Sequence, residues 1–179
     1  MSRLPANALG PPVWDRFVRV FHWSLVGCVL LNYFVLEEGE WQHQWVGYVA
    51  CALVSARLVW GFVGSRHARF ADFFPTPERV KRHVAALRAH RPDPHAGHNP
   101  LGALMMLWLL ALVLSLGFSG WLQGTDAYFG EEWLQNLHRY LGNALIGSAG
   151  LHATAALVMG RWERTRLVKA MVTGVKERC

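Results

Sequence analysis

Four stretches of this sequence run through apolar residues almost without interruption. Residues 20–36 carry no charge, residues 41–65 carry only Arg57, residues 94–125 carry none, and residues 140–160 carry none. A membrane-crossing helix needs roughly 20 apolar residues, about 17 at the short end. All four stretches meet that length, and they leave too little chain for a water-soluble core. The runs are continuous rather than alternating, which excludes the strands of a membrane barrel. The pattern predicts an all-α integral membrane protein, a single four-transmembrane-helix bundle filling residues 1–179, with helices over about 15–36, 41–64, 99–122 and 133–160. A loop over 65–98 separates the second and third spans. Within it, Thr76-Pro77-Glu78 has the form of a helix start, with Thr as cap and Pro at the first position. Val80, Val84 and Leu87 follow at helical spacing among bases, predicting an amphipathic helix over about 76–90 against the membrane lipid. Residues 91–97 hold two prolines and form a linker.

Composition agrees with a membrane assignment. Apolar residues make up 53% of the 179 residues and charged residues 17%, against about 25% charged in an ordinary soluble domain. Glu37, Glu38 and Glu40 follow the first run without a small-residue cleavage pattern, so that run is a retained helix and not a secretion signal. Cys28, Cys51 and Cys179 form no CxxC pair and no CxxCH, so covalent haem attachment is not indicated.

The placement of charge sets orientation. The loop after the first span holds Glu37, Glu38 and Glu40 and no base; the loop before the fourth holds Asp126, Glu131 and Glu132 and no base. Loop 65–98 holds Arg66, Arg69, Arg79, Lys81, Arg82, Arg88 and Arg91, and the tail adds Arg161, Arg164, Arg166, Lys169, Lys176 and Arg178. Lys and Arg accumulate on the cytoplasmic side. Both termini and the long loop are therefore expected on the cytoplasmic side, with the acidic loops outside. The net charge of +6 follows from this topology and points to no nucleic acid partner. Trp14, Trp41, Trp133 and Trp162 sit near span ends as interfacial anchors.

Nine histidines occur. His67, His83, His90 and His95 belong to the inner loop and are expected to be solvated; His95 with His98 could chelate a metal, but no further ligand is evident. The other four lie in spans, where an ionisable side chain is costly and marks a functional candidate. His22 is near the inner end of the first span, His43 near the outer start of the second, and His138 near the outer start of the fourth. His152 lies 14 residues beyond His138, nearly four helical turns, which keeps both on one face at depths roughly 21 Å apart. Two pairs by depth result: His43 with His138 outside, and His22 with His152 inside. Paired imidazoles on facing helices suit two haems with bis-histidine axial ligation.

Other residues near these positions carry two readings each. Gly47 and Gly142 each follow a histidine by four residues, one turn deeper on the same face. They either make room for a flat macrocycle or allow close helix packing. Ser24, Gly27, Ala153 and Ala156 could relieve crowding at the inner pair. Arg57 lies 14 residues after His43, on the same face, and either meets a haem propionate or reaches for the inner surface. Arg139 either serves the outer propionates or faces the interface.

The sequence resembles the prokaryotic cytochrome b561 family, which also takes in the b-type subunits of nickel–iron hydrogenases. The resemblance spans roughly 14–172. It rests on the run from Trp14-Asp15-Arg16 to His22-Trp23, on the spacing of His43 and Arg57, and on Arg57-Leu58-Val59-Trp60-Gly61. His98-Asn99-Pro100-Leu101-Gly102, His138 and Gly150-Leu151-His152-Ala153 complete it. It implies four helices, two non-covalent b haems with His22, His43, His138 and His152 as axial ligands, and electron transfer between a redox partner and the membrane quinone pool. Hydrogenase b subunits are usually longer than this chain, and no added docking segment is visible. The resemblance therefore implies a stand-alone cytochrome, or one served by a periplasmic c-type cytochrome. Two haems at two depths would divide the roughly 30 Å hydrocarbon crossing into short steps, and the acidic loops could steer a basic partner. The same scaffold and ligands would equally serve an oxidoreductase passing electrons from a small molecule such as superoxide to quinone. A transporter with histidines lining a path for a transition ion is the more distant alternative.

Overall fold

The computed structural model of the chain describes residues 13–89, 99–163 and 165–176. The 91–97 linker, His90, the His95–His98 pair, Arg3, Arg91, Arg164, Arg178 and Cys179 lie outside the described residues. Among the described residues seven α-helices follow in order: α1 (Arg16–Phe34), α2 (Trp41–Val63), α3 (Phe70–Phe73), α4 (Pro77–Arg88), α5 (Pro100–Gln123), α6 (Glu132–Trp162) and α7 (Leu167–Thr173), with a 3₁₀ turn at Arg66–Ala68. Among the described residues there is no strand. Helices α1, α2, α5 and α6 are long and apolar enough to cross a membrane. Much of their outward surface is apolar, as with Trp45 at 62% and Tyr140 at 71% exposure, which suits hydrocarbon and not water.

The long helices start where side chains can satisfy their first amides. Asp15 Oδ1 accepts the Val18 amide at 2.8 Å at the start of α1, and Asn99 Oδ1 accepts the Gly102 amide at 2.7 Å at the start of α5. Pro100 then occupies the first helical position, where a missing N–H costs nothing. Thr76 caps α4 through the Arg79 amide at 3.3 Å.

The chain divides into two compact units, residues 1–20, 60–104 and 152–179 in the first, and residues 21–59 and 105–151 in the second. The first is held together around Asp15. Its Oδ2 accepts the Trp60 indole N–H at 2.9 Å and the Ser65 hydroxyl at 2.6 Å, and Phe17 stacks on Trp60 with centroids 4.7 Å apart. The C-terminal end closes on the same place. Val13 and Trp14 amides donate to Gly174 O at 2.8 and 3.2 Å, and Arg19 Nη1 donates to Val172 O at 2.7 Å. Gly174 has φ +85°, and a Cβ there would stand 2.8 Å from Trp14 O, so only glycine suits the position. The segment after α2 folds inward and is not plain loop: Ala68 and Phe73 are buried, His67 Nδ1 lies 3.0 Å from Asp72 Oδ2, and Arg79 Nη1 donates to Asp72 O at 3.2 Å. The expectation of a solvated His83 is corrected here. His83 is 6% exposed, because it lies on the face of α4 turned inward while Lys81, Arg82 and Arg88 take the exposed positions.

In the second unit, segments of four helices pack as a bundle. Asn32 Nδ2 on α1 donates to His43 O on α2 at 3.1 Å. Tyr33 Oη on α1 donates to Asn143 Oδ1 on α6 at 2.7 Å. Trp108 Nε1 on α5 donates to Ser148 Oγ on α6 at 2.9 Å. On the remaining side α2 and α5 approach so closely that a Cβ at Gly117 would run into Cys51 Sγ, the small-residue contact that lets membrane helices meet.

Candidate functional site

The outer histidine pair meets inside the second unit. His43, in the first turn of α2, and His138, in the second turn of α6, present half-buried rings whose centroids are 6.2 Å apart at 60°. His138 Nδ1 is 2.8 Å from Ser119 Oγ, and Ser119 is 3% exposed. Gly120, next along α5, lets the ring approach the backbone: a Cβ there would be 3.2 Å from His138 Cε1. His43 Nδ1 is buried and has no hydrogen-bond partner among the described residues. Among those residues no group of three or more His, Cys, Asp or Glu side chains could share an ion. The site thus offers two imidazoles, an axial set that requires a ligand supplying the remaining donors.

The other sequence candidates fall as follows. Arg57 is 1% exposed in α2, with Nη2 3.9 Å from Met106 Sδ on α5. His22 is half-buried in α1 and packs edge-on against Trp23 at 5.1 Å. His152 is half-buried in α6 and belongs to the first unit, whereas His22 belongs to the second. Arg139 is exposed and donates to Asn136 Oδ1 at 3.2 Å. Gly47 and Gly142 both lie against α1. A Cβ would meet Asn32 Nδ2 at 3.6 Å from the first and Tyr33 Cε2 at 3.9 Å from the second, both ordinary contact distances. Ser119, Gly120 and Asn32 were not singled out by sequence reasoning. Their signal was a polar or small residue inside an apolar run, which in hydrocarbon must find a partner or a close neighbour.

A family profile described as prokaryotic cytochrome b561 matches residues 13–174. The chain belongs to the prokaryotic cytochrome b561 family. It is a b-type cytochrome of membrane electron transport and a multi-pass protein of the bacterial inner membrane. A protein of Rhodobacter capsulatus named "Probable Ni/Fe-hydrogenase B-type cytochrome subunit" is 28% identical over 208 aligned positions, covering 90% of this chain and 79% of the relative. One of the same name from Bradyrhizobium diazoefficiens is 24% identical over 219 positions, covering 96% and 89%. No solved structure matches the chain.

Family membership implies haem b, and the outer pair can be tested for fit. Imidazole binds a metal through a ring nitrogen at about 2.0–2.1 Å. Two half-buried imidazoles from α2 and α6, centred 6.2 Å apart, are the donor type that haem iron takes. A buried ring nitrogen without a partner is likewise what a ligand to an absent group leaves behind. The residues at this site fit haem.

Proposed function

We propose that this protein is a di-haem cytochrome b that carries electrons across the membrane between a periplasmic redox partner and the quinone pool. The observation that carries the reading is the meeting of the half-buried His43 and His138 rings 6.2 Å apart. His43 and His138 would hold the outer haem. His22 and His152, matched by depth along their helices, would hold the inner one. Haem iron supplies reversible one-electron exchange. The chain supplies the axial imidazoles, a hydrocarbon surround that keeps water from the sites, and buried polar contacts. Arg57, a buried cation, offers its guanidinium to a propionate, where a charge-assisted bond in low dielectric is strong. Arg139, at the surface beside Asn136, could take that part for the outer haem, and Gly47 and Gly142 line the contact of the ligand helices with α1.

Charge supports the orientation. In the second unit Glu37, Glu38, Glu40, Asp126, Glu131 and Glu132 are all exposed, a surface suited to a basic periplasmic protein such as a c-type cytochrome. The bases Lys81, Arg82 and Arg88 are exposed in the first unit, as a cytoplasmic face requires. The names of the two relatives bring a hydrogenase forward as an alternative donor.

The test is a reduced-minus-oxidised spectrum with a pyridine haemochrome assay on the purified protein. Two non-covalent b haems per chain are expected, falling to one in His43→Ala and to one in His22→Ala. A preparation without haem, from cells that assemble other b cytochromes, would overturn the reading.

A further inference from the structure

We propose that Ser119 is a positioning residue for His138: it fixes the proton on Nδ1 and so directs the Nε2 lone pair to the iron. The inference rests on the reading of His138 as an axial ligand, and it concerns a residue on a different helix with no part in ligation.

The argument is hydrogen-bond accounting. A serine hydroxyl has one proton to give and lone pairs to accept with. Ser119 Oγ lies 3.1 Å from Leu116 O, and a carbonyl can only accept. Leu116 O also takes a hydrogen bond from His138, which requires a protonated ring nitrogen on this side. We assign the hydroxyl proton to Leu116 O as well, so that the same oxygen, 2.8 Å from His138 Nδ1, accepts the Nδ1 hydrogen. A neutral imidazole carries one such hydrogen. Nε2 is then left as the ligating atom without any proton having to leave. Gly120, next along α5, leaves room for the ring: a Cβ there would stand 3.2 Å from Cε1.

A donor bond from the distal imidazole nitrogen raises ligand basicity and fixes ring orientation. A more basic ligand favours ferric iron, so loss of the acceptor should raise the potential of the haem concerned. The geometry also gives Ser119 a role within a helix whose side chains are mostly apolar. Its bond to Leu116 is local, but its position and 3% exposure give it a second partner across the helix interface.

The experiment uses the full chain purified in detergent, with Ser119→Ala, Ser119→Thr and His138→Ala. The readouts are haem per chain, midpoint potentials by spectroelectrochemical titration, and the low-spin ferric signals in electron paramagnetic resonance. Ser119→Ala should move one haem's midpoint upward and shift its ferric signal, leaving the other haem unchanged. Ser119→Thr, which keeps the hydroxyl, should restore both readouts. If Ser119→Ala instead loses one haem, retention of that haem in Ser119→Thr supports the proposal, and loss in both overturns it. Wild-type potentials and signals for both haems in Ser119→Ala would also overturn it. The ligand assignment fails separately: His138→Ala holding two haems per chain would remove the basis of the proposal, whereas His138→Ala holding one with an unaltered Ser119→Ala would reject Ser119 alone.

Discussion

Asp15 and Trp60, forty-five positions apart, are joined by a 2.9 Å hydrogen bond from the indole nitrogen to carboxylate Oδ2. The same carboxylate caps α1 through Val18 and takes the Ser65 hydroxyl. One side chain therefore starts a helix and ties it to the end of α2. Replacing it by alanine removes a cap, typically about 1 kcal/mol, and bonds to a charged group of roughly 1.5–3 kcal/mol. Asp15→Ala should destabilise the protein by about 2–4 kcal/mol, and Asp15→Asn by less, since one acceptor oxygen remains. Thermal unfolding in detergent, followed by tryptophan fluorescence, measures both. Equal unfolding temperatures for Asp15→Ala and wild type would refute the clasp.

The α2–α5 contact gives a prediction with a built-in rescue. A methyl at position 117 would overlap Cys51 Sγ, and overpacking of this kind costs about 1–3 kcal/mol. Gly117→Ala alone should be destabilised by that amount. Adding Cys51→Ala vacates the space, so the double variant should recover most of the loss. Neighbours in contact couple in this way and distant pairs do not. Strictly additive effects would mean that the two helices do not meet through these positions.

The spans were legible because a membrane demands length and apolarity together, and residues 20–36 or 140–160 satisfy both without reference to packing. The depth argument that set His43 beside His138 needed only helical rise, and the rings lie 6.2 Å apart. Ser119 was not legible in the same way. Ser115 and Ser119 interrupt the same apolar run, and only packing separates them: Ser115 is exposed and Ser119 is buried. His83 was misjudged for a related reason. Its neighbours Lys81 and Arg82 suggest a wet helix, but at the helical angle it points the other way and is buried. Helix α7 went unseen because seven residues give barely two turns of pattern, although Leu167, Ala170 and Met171 share a face.

Arg57 separates a propionate contact from a purely structural role. It is a 1% exposed cation in α2, with Met106 Sδ of α5 3.9 Å from Nη2. A cation beside a haem favours the form carrying the extra electron, and the effect is large where the dielectric is low. Arg57→Met keeps much of the side-chain volume and removes the charge. The midpoint potential of one haem should fall, opposite in sign to the shift expected for Ser119→Ala, with haem content retained. Unchanged potentials in a redox titration would assign Arg57 to helix packing.

The exposed acids should act on rate and not on ligation. Glu37, Glu38 and Glu40 lie between α1 and α2, all exposed and all in the unit that contains the His43–His138 pair. Clustered charge of one sign raises the encounter rate of an oppositely charged protein by about 10-fold or more at low salt, and screening removes the gain. The triple variant Glu37→Gln, Glu38→Gln, Glu40→Gln should therefore exchange electrons with a basic c-type cytochrome roughly 10-fold more slowly at low ionic strength. At high ionic strength its rate should match that of the parent. Haem content per chain should be unaffected, since none of the three side chains is a proposed ligand. Stopped-flow absorbance at two or three salt concentrations decides the matter. A rate independent of salt in the parent protein would remove electrostatic steering by this loop and turn attention to a partner bound through other contacts.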